Sequence, residues 1–236
     1  NIVRALAKIY DNGHVTRGMK PVNWCLDCTS ALAEAEVEYQ DKASDAIYVS
    51  FDVLDTDKLT ALANIEGAIS AVIWTTTPWT LPANQAISVH PEHNYSVVAT
   101  EKGNLLLAHD LVETALVELK LDSRGILATV SGSELEGLQV QHPLIDTRQV
   151  PIMLGDHVTV DSGTGLVHTA PGHGLDDYIV GWKYNLPVEN PVGGNGVYLE
   201  SAAVFAGEHI YKANPKIIAA LNDNGHLVSH TKIEHS

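Results

Sequence analysis

From Ala46 onward the chain takes up a period-two pattern. Ile47, Val49, Phe51 and Val53 alternate with Tyr48, Ser50 and Asp52, the spacing of a half-buried strand. Further short strands are expected at Ile69 to Thr75, Tyr95 to Thr100, Asn104 to Ala108, Ile126 to Ser131, Leu138 to His142, Pro151 to Leu154, His157 to Val160 and Gly165 to Thr169. Turn residues separate many of them at short intervals. Such a succession restricts the chain to a barrel-like or sandwich core. Helices are excursions from it. Ile2, Leu6, Ile9 and Tyr10 share one helical face, with Asn1 as cap and Gly13 as stop, and Ala31 to Glu34 is read as a helical turn. Leu111, Val112, Ala115, Leu116 and Leu119 form one apolar stripe; Ile217, Ile218 and Leu221 form another, with Asn214 as cap, Pro215 in the first turn and Gly225 as stop. The fold class is therefore mainly β, with a β-barrel-like core and helical excursions, and α+β overall.

Composition narrows the function. Hydrophobic residues make up 45% of 236, enough for a real core, which excludes disordered, collagen-like and coiled-coil chains. Lys plus Arg number 14 against 29 Asp plus Glu, a net charge of −15. A general nucleic-acid coat is basic over a broad face, so any RNA contact here must be local. The only cysteines are Cys25 and Cys28, which favours a reducing compartment over a disulfide scaffold. The best apolar run, Ala68 to Trp74, is interrupted by Ser70 and falls well short of the ~20 residues of a spanning helix. No charged-then-apolar leader opens the chain, and Asn1 stands where a start Met would be, so the sequence reads as a piece of a longer polypeptide.

Three segments carry chemistry. Trp74 to Asn84 reads W-T-T-T-P-W-T-L-P-A-N. Pro78 and Pro82 forbid a long central strand, so the chain should leave a strand at Trp74 and become a rigid, hydroxyl-lined loop. Threonines present a methyl and a hydroxyl together and are stiff at χ1, which suits measuring a small apolar group beside a polar one. A strand end with ordinary turn prolines is the plainer alternative. Gly163 to Tyr178 reads G-T-G-L-V-H-T-A-P-G-H-G-L-D-D-Y. It places His168 on a strand and Asp176 and Asp177 at the start of a helix, where a carboxylate can hold a cation and a histidine can act on a proton. A core histidine and a helix-capping aspartate fit the same spacing. Cys25-x-x-Cys28 is either a pair of reduced cysteines in a turn or half a metal site, with His226, His230 and His235 as weak candidates to complete it. Gly193 to Gly196 reads as a turn, and His173, among glycines, as loop structure. No G-x-S-x-G elbow, Walker loop, H-E-x-x-H or Rossmann glycine pattern is present.

The first two segments together resemble the editing domain, the CP1 insertion, of isoleucyl-tRNA synthetases in the class I family. N-W-C-x-D-C at residues 23–28, N-P-V-G-x-N-G at 190–196 and the opening helix are similar as well, so the resemblance covers essentially the whole chain. Valyl and leucyl relatives usually carry T-T-R-P, and Thr77 stands at the Arg position, which favours the isoleucyl branch. The resemblance implies a connecting segment over 1–44, an editing core over 45–212 and a terminal helix with return segment over 213–236. No cofactor is implied for this fragment. ATP, and zinc in some relatives, belong to the full-length enzyme, with further zinc ligands beyond Ser236.

The implied activity is hydrolysis of mischarged Val-tRNA(Ile), and of valyl-adenylate as a further substrate. One methylene in a hydrophobic pocket is worth about 1–3 kcal/mol, a figure usually illustrated with isoleucine against valine in these synthetases. A second site that admits valine and sterically rejects isoleucine removes the error. By resemblance, Asp177 pairs with the substrate α-ammonium, while Thr76, Thr77 and His168 shape the catalytic pocket. Trp74, Thr75 and Thr80 line the cleft and hold the terminal adenosine, and Asn84 is a polar position linked to editing. No protein metal is implied. The base would be a ribose hydroxyl of the tRNA end. Partners would be the tRNA 3′ CCA end, valine and the rest of the synthetase chain, with no membrane, in a monomeric, cytoplasmic fragment. A non-catalytic module binding valine or the tRNA end, and a metal-dependent hydrolase built on His168, His173 and Asp177, are the competing readings.

Overall fold

The computed structural model describes residues 1–15 and 17–235; the side chains of Ala203 and His235 fall outside the described set, and with them the expectation of His235 as a metal ligand. In chain order the elements are α1 (Ile2–Asp11), β1 (Trp24–Cys25), β2 (Ser30–Ala31), β3 (Lys42–Asp52), α2 (Thr60–Ala63), β4 (Ile69–Thr75), β5 (Ala86–Val89), β6 (Asn94–Thr100), β7 (Gly103–Ala108), α3 (Val112–Leu119), β8 (Ile126–Ser131), β9 (Gln139–Gln141), β10 (Gln149–Leu154), β11 (Val167–Thr169), α4 (Leu175–Lys183), α5 (Ile210–Asp223) and β12 (Leu227–His235).

The α+β reading holds, with the main strands in two open mixed sheets rather than one closed barrel. The larger runs β12-β3-β4-β7-β6-β8 and the smaller β11-β5-β10-β9. An isolated antiparallel bridge between Val53 and Val140 joins the end of β3 to β9. β4 pairs with β7 in parallel, and parallel neighbours need a crossover. That crossover makes the site. The chain leaves the large sheet at Thr75, turns through a 3-10 segment at Pro78–Ala83, supplies β5 to the small sheet, and returns as the β6–β7 hairpin. β11 then lies antiparallel on β5, with His168 opposite Ile87.

Strand β3 differs from the half-buried strand its alternation suggests. Ile47, Val49 and Phe51 join a core shared with Ile87 and Ile152 of the small sheet. Tyr48 on the other face joins Val72, Leu105, Leu107 and the α3 stripe Val112, Ala115, Leu116 and Leu119. A helix packed on the second face buries both sides, which alternation within one strand cannot report. His157 to Val160 is not a strand: Val158 N–H donates to Gly155 O at 3.2 Å and closes a turn. The helical turn read at Ala31 to Glu34 is instead the end of β2 followed by a 3-10 turn at Glu34–Glu36.

Helix α5 begins at Ile210 and not at Asn214. His209 caps it by accepting from Tyr211 N–H, and Pro215 lies inside it. Ile210, Ala213, Ile217 and Leu221 are all buried on one face, and that burial outweighs the roughly 3 kcal/mol cost of an interior proline. Helix α1 forms as its periodicity predicts, yet its apolar stripe is open, with Ile2 86% and Val3 79% exposed.

Candidate active site

Hydrogen bonds within and behind it hold the crossover loop in one shape. Thr77 N–H donates back to Thr75 Oγ1 at 3.1 Å. Thr80 Oγ1 donates to Thr77 O at 2.8 Å. Pro78 opens the 3-10 turn, where its fixed φ costs nothing. Arg148 Nη1 donates to the carbonyls of both Pro82 and Asn84 at 3.1 Å, and the Tyr198 hydroxyl donates to that of Trp79. His142 accepts two backbone N–H groups on Nδ1, from Leu144 and Ile145 at 3.1 Å. Its proton therefore sits on Nε2 and goes to Leu81 O at 3.0 Å.

The His168 ring fills the gap between this loop and β11, and its partners determine its protonation. Asn84 Nδ2 lies 2.9 Å from Ala86 O. An amide oxygen there would face another acceptor, so the nitrogen is correctly placed. The same nitrogen donates to His168 Nδ1 at 2.7 Å. Nδ1 is thus an acceptor, Nε2 carries the proton, and it donates to Thr80 Oγ1 at 3.0 Å. The chain of donors runs from Asn84 through His168 and Thr80 to Thr77 O. A second ring proton would point at the Asn84 N–H. Burial pushes the imidazole down to about 3, helped by His173 and His142 nearby. A neutral ring with both nitrogens engaged is a wall and a hydrogen-bonding relay; it is neither a metal ligand nor a proton carrier near neutrality.

Helix α4 brings Asp177 in its first turn, with Gly174 as N-cap. A side chain at 174 would place its Cβ 2.6 Å from Asp177 Oδ2, so only glycine leaves the carboxylate its place. Burial raises Asp177 to about 6; the Ala170 backbone N–H opposes the shift and Asp176 adds to it. No Lys, Arg or His forms an ion pair with it among the described residues. It is a desolvated acid that would ionise fully on meeting a cation.

These elements enclose a cavity of about 200 Å³. Trp74, Thr75, Thr77, Thr80, His168 and Asp177 line it, together with Val167 and His173. Thr76 is half-buried but not in the lining: the chain bends there, and the Thr75 and Thr77 hydroxyls meet at 3.2 Å on the cavity side without it. Asn84 stands behind His168. Of the other lining residues, Val167 carries no signal in the sequence, and His173 enters the sequence reading only as loop structure or as a ligand in the metal-dependent alternative. His173, set aside as loop structure, follows His168 across the tight Gly172 turn, and that proximity was the available signal.

Cys25 and Cys28 sit in the β1–β2 hairpin, where Cys28 N–H donates to Cys25 Sγ at 3.2 Å. They supply two of the four donors a structural zinc needs, and among the described residues no group of three His, Cys, Asp or Glu is placed to hold a metal ion.

The family of class I tRNA synthetases (I, L, M and V) matches residues 1–218. The isoleucine–tRNA ligase of Psychrobacter arcticus is 83% identical over 236 residues, all of this chain and 25% of that protein. That of Acinetobacter baylyi is 58% identical over 242 residues, again all of this chain and 26% of its length. The chain thus spans about a quarter of the curated relatives it matches. Among solved structures, the cytosolic leucyl-tRNA synthetase editing domain of P. falciparum superposes with a TM-score of 0.62 at 10% identity, covering 79% of this chain and 98% of that one. The corresponding P. knowlesi domain gives 0.60 at 13% identity, covering 80% and 97%. At those identities the likeness is one of fold.

Proposed function

The chain belongs to the class I tRNA synthetase family (I, L, M and V), and from that premise we propose that it is the editing domain of an isoleucyl-tRNA synthetase, hydrolysing mischarged Val-tRNA(Ile) and, as a further substrate, valyl-adenylate. The observation that carries this reading is one small cavity lined both by threonines and by a desolvated carboxyl that has no ion-pair partner among the described residues. Asp177 holds the α-ammonium common to all aminoacyl esters. Thr75, Thr77, Thr80, Val167 and His168 bound the side chain, and Trp74 flanks the ribose and adenine. Thr76 acts by spacing the two lining threonines, and Asn84 by fixing the His168 tautomer.

The reaction is attack of water on the ester carbonyl carbon. The bond to the ribose oxygen breaks, that oxygen takes up the proton water loses, and free valine and deacylated tRNA result. His168 has no free lone pair to act as base, and Asp177 is committed to the amine. A neighbouring ribose hydroxyl is therefore the relay that fits, taking the water proton as it passes its own to the departing ribose oxygen, and the protein contributes positioning. With a net charge of −15, the chain takes only the single-stranded 3′ end, by stacking and local donors, and the rest of a synthetase carries most phosphate contacts. Residues 1–44 would lead in from that body, 45–212 form the editing core and 213–236 return to it. No helix among the described residues is long and apolar enough to cross a membrane, and the reduced cysteine pair suits the cytoplasm.

The test is to incubate the chain with matched Val-tRNA(Ile) and Ile-tRNA(Ile). The valyl ester should be cleaved at least about tenfold faster, and Asp177→Ala should abolish the difference by removing valyl cleavage. Equal cleavage of both esters, unaffected by Asp177→Ala, would remove the proposal. Binding of a valyl analogue without turnover would leave a non-catalytic binding module.

A further inference from the structure

Beside the cavity lies a larger groove of about 540 Å³, walled by Trp24, Trp79, Tyr211 and Asn190 among others. Cavity and groove have one lining residue in common, His173. Its ring therefore stands between them. On the groove side it packs edge-on against Trp79, with centroids 5.3 Å apart and planes at 81°. The backbone holds it there: His173 N–H donates to Ala170 O at 2.8 Å. At Gly172 an added Cβ would lie 2.1 Å from Glu189 O, so the turn that presents the ring tolerates no side chain before it. Among the described residues His173 Nε2 is buried with no hydrogen-bond partner, so packing and backbone, not a polar anchor, place the ring.

We propose that His173 is a specificity-determining residue: its imidazole is the partition that keeps the amino-acid cavity short, and without it cavity and groove join and a side chain one methylene longer fits. This rests on the editing reading above, with which it shares the cavity. In that reading the threonines and His168 bound the side chain laterally, while His173 closes the end towards the groove. The ring stays neutral, since burial pushes it down to about 4, so it closes the cavity without repelling the substrate ammonium held at Asp177.

The experiment is calorimetric titration of the chain with two non-hydrolysable probes, 2′-valylamino-2′-deoxyadenosine and its isoleucyl counterpart. The unaltered chain should prefer the valyl probe. His173→Ala should reduce that preference by about tenfold or more, the worth of one methylene, chiefly by tighter binding of the isoleucyl probe. His173→Phe, which keeps the wall, should hold the parent ratio to within about threefold. If His173→Ala does not melt cooperatively, His173→Asn supplies the shortened side chain. A ratio unchanged in a folded, shortened variant overturns the inference. Failure of the hydrolytic reading would show differently, as absent turnover with the binding preference intact.

Discussion

At the scale of single residues, buried His168 and half-buried Asp177 have opposite relations to charge. His168 is locked neutral because Asn84 offers its Nδ1 a proton and Thr80 accepts from its Nε2. Its ring resonances should therefore show no titration above about pH 4 in an NMR pH series. Asn84→Asp replaces the donor with a carboxylate, and should bring the His168 midpoint up by two units or more, roughly the shift a close opposite charge produces. A midpoint that stays put would show that burial alone sets it. Asp177 is raised to about 6 by burial, above its unfolded value near 4. Ionising it costs stability that is not lost below about pH 4 and is fully lost above about pH 6. Asp177→Asn should then stabilise the ligand-free chain at pH 7 by about 1–3 kcal/mol, read as a higher urea midpoint. The same variant should bind the valyl probe at least tenfold more weakly, and in the parent that binding should strengthen as pH rises from 5 to 7. An aspartate that stabilised the free fold at pH 7 would contradict its assignment as an ammonium site held ready.

At the scale of elements, the β4–β5 crossover is a short loop braced from outside its own sequence. Arg148, just before β10, serves two of its carbonyls. Hydrogen bonds from a charged donor are worth about 1.5–3 kcal/mol. Arg148→Met should cost that order of stability in denaturant melts and weaken the valyl probe, although Arg148 does not touch the cavity. An unchanged affinity would mean that the prolines alone shape the loop. The strands on either side were unequally legible. Ile69 to Thr75 and Ile126 to Ser131 coincide with β4 and β8 because each is a β-branched run ended by turn chemistry. β5 is not legible in the sequence: four buried residues between Gln85 and His90 have no period to read. The sequence of β12 reads as a return segment, because its mixed polar residues gain a sheet only by lying along β3. Pro215 suggested a helix start, yet the apolar spacing from Ile210 to Leu221 prevails over it.

At the scale of the whole molecule, stability should depend on pH through its neutral histidines. His142, His168 and His173 are all lowered, to about 4, 3 and 4, with burial as the chief cause. Their folded values lie below the unfolded value near 6.5, so the stability they contribute is complete above that pH and is lost as pH falls towards 4. Asp177, with the opposite sign, offsets one of the three. Urea midpoints measured between pH 7 and 4.5 should decline, and His142→Gln should flatten the decline; a midpoint independent of pH would contradict the buried neutral assignments. The sequence by itself determined which chemical groups are present and in what local shape. The stiffness of threonine and proline made the loop, glycines flanked by His and Asp made the second turn, and the motif resemblance placed both in one family. The tertiary structure alone decided which groups face the cavity, which proton each carries, and that His173 forms a wall. Those properties arise where Thr80 and His168, 88 residues apart along the chain, are brought together by a crossover between two sheets, and burial and hydrogen-bond partners exist only once that meeting has occurred.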